Sequence, residues 1–289
     1  MTAWTLATRI AAVAASVMLL AATTARADEG GDYQKLLDTH QNAYVTLKFV
    51  LKMKMGGMFG GGDNESEQEV TGVMIDPKGT VICSNTALGG FAGMMGRMSR
   101  MFGDMQATPT DIKVLIGDDA EGVEAELLAR DTELDLAWVQ IKKPGEKPYA
   151  AIDLAKSIKP KLGGKIMSIN RLGKYYGRAT TVSAGRIAGM CKKPRELLIP
   201  SGGSNTGLPV FAEGGEVVGI AVMQLPEADD SDNPMAMLSA MGDLQSAASG
   251  FILPAEEVVK ATARARERAS EESAEKKDEA KGEDKKDGE

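Results

Sequence analysis

Apolar residues along this chain fall in short runs rather than at helical spacing. Val70 to Ile75 alternates weakly, Asp76-Pro77-Lys78-Gly79 follows, and Val81 to Cys83 is apolar again. Proline at the second turn position and glycine at the fourth suit a type I turn, so the two runs predict a β-hairpin. Further short strands are predicted at Ile112 to Ile116, Glu124 to Ala129, Ala137 to Ile141, Ile166 to Asn170, Thr180 to Ala188, Leu197 to Ile199, Leu208 to Phe211, Val217 to Val222 and Gly250 to Leu253. Many short strands with glycine-rich turns indicate an all-β sandwich or barrel. The stretch from Lys142 to Lys165, broken by Pro144, Pro148, Pro160, Gly163 and Gly164, divides them into two groups. Two small barrels in series fit that spacing.

Helix is expected only at the margins. Tyr33 to Tyr44 reads as a short helix leading into a strand from Val45 to Met53, and residues 255 to 277 have helical composition. From Lys260 to Glu289 there are nine basic and ten acidic residues and almost no apolar ones. Such a segment buries too little to offset its ordering entropy, so its end is expected to be disordered.

The first residues carry an export pattern. Arg9 closes a polar start, residues 10 to 25 form an apolar run, and Ala25-Arg26-Ala27 gives a small-x-small cleavage site before Asp28. The run is too short and alanine-rich for a membrane span, which needs about 20 strongly apolar residues. A signal peptide cleaved after Ala27 is therefore expected, with no stable membrane span afterwards and a periplasmic or secreted location. The expected organisation is a signal over 1–27, an N-terminal helix plus first barrel over 28–155, a second barrel over 156–258 and a charged low-complexity tail over 259–289.

Composition narrows the function classes. The net charge of −7 leaves no basic footprint for nucleic acid. Export would permit disulfides, but Cys83 and Cys191 fall in different halves among apolar neighbours and read as two buried small hydrophobes. Two cysteines and one distant histidine, His40, make no zinc site, and neither metal nor cofactor is expected.

Three landmarks then carry the chemistry. Gly72 to Leu88 reads GVMIDPKGTVICSNTAL; Asp131 to Ala137 reads DTELDLA; Ser204 to Pro209 reads SNTGLP, followed by Gly215-Glu216-Val217-Val218-Gly219-Ile220. In this order, with Val182 to Ile187 and Gly250 to Pro254 flanking the third, the chain resembles the trypsin-like protease domain of the HtrA/Deg group over roughly residues 45 to 258. The resemblance implies a chymotrypsin-like fold of two six-stranded antiparallel β-barrels meeting at a cleft. It places the catalytic histidine position on Thr86, the aspartate on Asp135 and the nucleophile on Thr206, with Ser204, Asn205 and Gly207 in the oxyanion-hole region. The 35 residues after Pro254 are charged, so the group's usual peptide-binding domain is not expected.

Mechanism decides how much activity carries over. In such proteases a histidine removes the nucleophile's proton, an aspartate orients the histidine and backbone amides stabilise the oxyanion. Thr86 accepts no proton near neutral pH, and Thr206 is a weak, crowded nucleophile without a base. Ser204 and Leu208 replace glycines, which is expected to disturb the turn that forms the oxyanion hole. Four departures at one site point to a pseudoprotease. Asp135 is then expected to cap local backbone amides, and Asn85, Asn205 and Thr206 to satisfy their own turns.

Methionine is the other unusual feature. Of 17 methionines, 11 lie in three stretches: Met53, Met55 and Met58; Met94, Met95, Met98, Met101 and Met105; Met235, Met237 and Met241. Such flexible, polarizable side chains suit a surface that meets varied partners, though they also pack their own loops or form homo-oligomer contacts. Met58, Met94, Met95, Met98, Met101, Met235 and Met237 are the candidate binding residues. The leading expectation is an exported HtrA-like protease homologue, catalytically inactive, that binds polypeptide or a partner protein. The alternatives are a serine-type endopeptidase with an unorthodox site and a methionine-rich copper-handling protein.

Overall fold

The Asp76-Pro77-Lys78-Gly79 turn folds as its residues dictate. The Asp76 carboxylate accepts the Lys78 amide at 2.8 Å, and Gly79 supplies the left-handed backbone, φ +88°, that closes the hairpin. In the computed structural model, which describes residues 29–54, 63–90, 106–193, 195–223 and 250–283, this hairpin forms part of the wall of a closed barrel. Its strands are β1 (Tyr44–Lys54), β2 (Asp63–Met74), β3 (Thr80–Ser84), β4 (Gln106–Ile116), β5 (Val123–Asp131) and β6 (Leu136–Ile141), paired antiparallel in the order β1-β2-β3-β6-β5-β4. Alternate residues point inward, so Val45, Leu47 and Phe49 of β1 meet Val81 and Cys83 of β3 in one core.

A second closed barrel contains β7 (Lys165–Arg171), β8 (Thr180–Cys191), β9 (Leu197–Pro200), β10 (Pro209–Ala212), β11 (Val217–Val222) and β12 (Phe251–Pro254), in the order β10-β11-β12-β9-β8-β7. Ile166, Ile187, Val210, Val218 and Ile252 fill it. The two six-stranded barrels expected from the resemblance are thus present. The connection between them leaves the first where the Ile152 amide bonds to the Met74 carbonyl and joins the second where the Ile158 amide bonds to the Val217 carbonyl, each at 2.9 Å. Across the barrels Arg178 forks onto Glu69 at 2.7 and 3.1 Å.

The chain divides into two compact units, residues 1–39 and 40–289; the described part of the first is the body of helix α1 (Glu29–His40). The helix expected over 33–44 therefore lies earlier, because Tyr44 is already a fully buried residue of β1. Strand β2 also begins earlier than its apolar run suggests. The polar sequence Asp63 to Glu69 pairs along β1, where Lys48 and Lys52 neutralise Glu67 and Glu65 at 2.9 and 3.0 Å.

Helix α2 (Ala255–Glu283) follows β12 directly, with Glu256 and Glu257 in its first turn where the helix dipole favours acids. Val258, Ala261, Thr262 and Ala265 are buried, one stripe at i, i+3, i+4 and i+7. Trp138 of β6 donates its indole N–H to Thr262 Oγ1 at 3.0 Å inside this contact. The start of the charged segment is therefore packed, and its stripe crosses the boundary at 258 that composition suggests. No helix among the described residues is long and apolar enough to cross a membrane.

Candidate functional site

Two chain turns, one from each barrel, build the site. In the first barrel β3 ends at Ser84, and a short helical turn follows from Thr86 to Gly90. Beside it, the β5–β6 turn is held by the Asp131 carboxylate, which accepts the Glu133 and Leu134 amides at 3.1 and 3.0 Å. That turn delivers Asp135 in a left-handed conformation, φ +51°, which aspartate tolerates better than most residues.

The register Ser84↔Leu136 sets Asp135 next to Asn85, whose amide bonds to the Asp135 carbonyl at 3.0 Å. The Asp135 carboxylate, 4% exposed, accepts the Thr86 amide at 2.7 Å and the Ser84 hydroxyl at 2.8 Å. Both oxygens thus cap the strand end that carries Thr86. Arg130 braces the same segment, donating to Asn85 Oδ1 at 3.2 Å and to the Leu88 carbonyl at 3.1 Å. Cys83, just behind, is no alternative nucleophile: burial first, and the Asp135 charge second, push its thiol up to about 12.

In the second barrel the chain leaves β9 through Gly202 and Gly203, both at positive φ. A Cβ on Gly203 would lie 2.3 Å from the Gly185 amide nitrogen, so this loop lies directly on the β8 backbone. Asn205 then donates its side-chain amide to Ser183 Oγ at 3.3 Å, and its carbonyl accepts the Leu208 amide at 3.0 Å, closing a turn over Thr206 and Gly207. Among the described residues Thr206 makes no hydrogen bond. Gly207, at φ +82°, fits against the end of β3 with no room for a side chain. This contact brings the Thr206 turn to the Thr86 segment.

Two expectations change here. Asp111, Asp135 and Arg178 are the non-glycine residues with positive φ among those described, so Ser204 and Leu208 hold ordinary backbone. The turn takes its left-handed geometry at Gly202, Gly203 and Gly207 instead, and Leu208 is simply buried. Cys191, expected to be buried, is only half-buried; both cysteines are free.

The histidine is held elsewhere. The His40 ring stacks on Phe211 at 4.6 Å, with Nε2 at 3.1 Å from the Gly215 carbonyl. Gly207 pairs with Ala221 and Phe211 with Val217, so four extended residues, about 13 Å at the usual rise, separate the Thr206 turn from that stack. Burial lowers the His40 pKa against the raising effect of its backbone hydrogen bond.

Sequence reasoning missed Ser84, Ser183 and Arg130 as supports of the site. The Ser84 signal was available: pairing the strand before Thr86 with the strand after Asp135 sets Ser84 beside that aspartate. The candidate binding residues Met58, Met94, Met95, Met98, Met101, Met235 and Met237 lie outside the described residues. Among the described residues, no group of three or more His, Cys, Asp or Glu is placed to hold a metal ion.

The family model of the trypsin-like peptidase domain matches residues 70–220, just over half of the chain and inclusive of Thr86, Asp135 and Thr206. No curated protein matches. Among solved structures the chain is similar to Deg5, with 16% identity and a TM-score of 0.51 over 81% of this chain and 93% of that one. At that identity the similarity is one of fold.

Proposed function

We propose that this chain, which belongs to the trypsin-like peptidase domain family, is an exported member that binds polypeptide without cutting it. One observation carries the reading. The Asp135 carboxylate, which would orient a catalytic imidazole, is occupied by the Thr86 amide and the Ser84 hydroxyl, while Thr206 has no hydrogen-bonded base among the described residues. A threonine hydroxyl without a proton acceptor is not a working nucleophile at neutral pH.

The framework around these positions is intact, and such a cleft still offers an extended segment backbone and side-chain contacts. The three methionine-rich stretches of the sequence have the flexible, polarizable side-chain chemistry that suits binding of unfolded clients. Export rests on the apolar run and the Ala25-Arg26-Ala27 site. If the chain does cut, its family makes it a serine-type endopeptidase acting through Thr206.

The test incubates the purified protein with unfolded casein and follows fragments and light scattering together. Suppressed aggregation with no new fragments is expected. Fragments that accumulate with time and vanish in Thr206→Ala would overturn the proposal in favour of the endopeptidase.

A further inference from the structure

A pocket of about 300 Å³ opens where the end of β5, the β8–β9 connection and the side of α2 meet. Its lining includes four arginines, Arg130, Arg195, Arg264 and Arg268, against two acids, Asp131 and Glu133. Four minus two leaves an excess of two positive charges in a concave site.

Most of that charge has no internal partner. Arg195 pairs with Glu133 at 2.9 Å, yet its Nε is buried without a hydrogen bond. One Asp131 oxygen is engaged by the amides of its own turn. Arg130 is half-buried and donates only to neutral acceptors, Asn85 and the Leu88 carbonyl. Arg264 and Arg268, one helical turn apart on α2, make no ion pair among the described residues. Holding the half-buried Arg130 cation without an anionic partner is unfavourable unless an anion completes the site. The exposed Arg264 and Arg268 add positive charge at its mouth, and guanidinium forks match oxyanions in pairs.

The geometry points to an anion-binding pocket under helix α2 for a small compound bearing at least two negative charges. The recognised chemistry is a pair of oxyanion groups, shared by phosphate compounds and dicarboxylates. The volume is about ten times the share of one water in the liquid, room for a pyrophosphate or a small diacid. A ligand here also touches the turn that delivers Asp135 and the arginine that holds Asn85. The pocket does not depend on whether the chain cleaves peptides.

Because multivalent anions raise melting temperatures simply by exclusion from protein surfaces, binding is read by calorimetry on the full chain at constant ionic strength. The probes are sodium pyrophosphate and succinate. Saturable binding of either is expected, weakened at least tenfold in Arg264→Gln/Arg268→Gln, whose exposed side chains leave the fold unaffected. Lys142→Gln/Lys143→Gln, an equal charge loss outside the pocket, should bind as the parent does. Preference for pyrophosphate assigns a phosphate compound, and preference for succinate a dicarboxylate. No saturable binding of either, or equal loss in both double variants, overturns the pocket.

Discussion

Gly207 of the second barrel rests on Ser84 of the first: a Cβ on Gly207 would lie 2.2 Å from the Ser84 amide nitrogen. The same glycine has φ +82°. Gly207→Ala therefore meets both a backbone clash and a disfavoured conformation, and should cost about 3 kcal/mol, the upper range for a strained backbone position. Urea unfolding checks this, with the nearby open position Gly173→Ala, where a Cβ meets nothing within 4 Å, expected to be close to neutral.

Asp135 caps two donors from inside the protein. Asparagine keeps one acceptor and suits the left-handed backbone at least as well, so Asp135→Asn should cost about 1–2 kcal/mol and Asp135→Ala about 3. Denaturation midpoints should fall in that order. An aspartate held only for chemistry would give three equal midpoints.

His40 makes the fold sensitive to mild acid. With its folded pKa below the ordinary 6.5, the unfolded chain takes up a proton first as pH falls. The stability conferred by the neutral ring is complete above 6.5 and is lost as pH falls through the folded pKa. His40→Phe keeps the stack on Phe211 and removes the titration. Its melting temperature should change less than the parent's between pH 7 and about 5.5, above the usual carboxylate range; parallel profiles would refute the assignment.

Trp138 and Thr262 anchor α2. Thr262→Val leaves the buried indole N–H unsatisfied and should cost about 1–3 kcal/mol, whereas Thr262→Ser, which keeps the hydroxyl, should cost less. Trp4 is the other tryptophan, so in a chain starting after Ala27 the indole fluorescence reports this contact alone. An unshifted spectrum in Thr262→Val would show that the helix does not rest there.

Local order made the barrels legible in the sequence. Side chains alternate across a strand, and the Asp76 to Gly79 turn reverses the chain by its own backbone preferences, so runs such as Val81 to Cys83 announce strands without reference to anything distant. The positions of Thr86, Asp135 and Thr206, and the lack of a histidine at the first, were legible only through the resemblance of three short landmarks to the HtrA/Deg group. What depended on tertiary structure was every pairing between remote segments. Asp63 to Glu69 is a strand because its backbone pairs along β1, where Lys48 and Lys52 lie across from its glutamates. The stripe from Val258 to Ala265 is small and weakly apolar, and becomes a packing face only against Trp138, 124 residues from Thr262. His40 could have lain at the cleft or away from it until Phe211 and Gly215 took its ring. Such contacts depend on chain closure over long separations, whose cost and reward a linear pattern does not record.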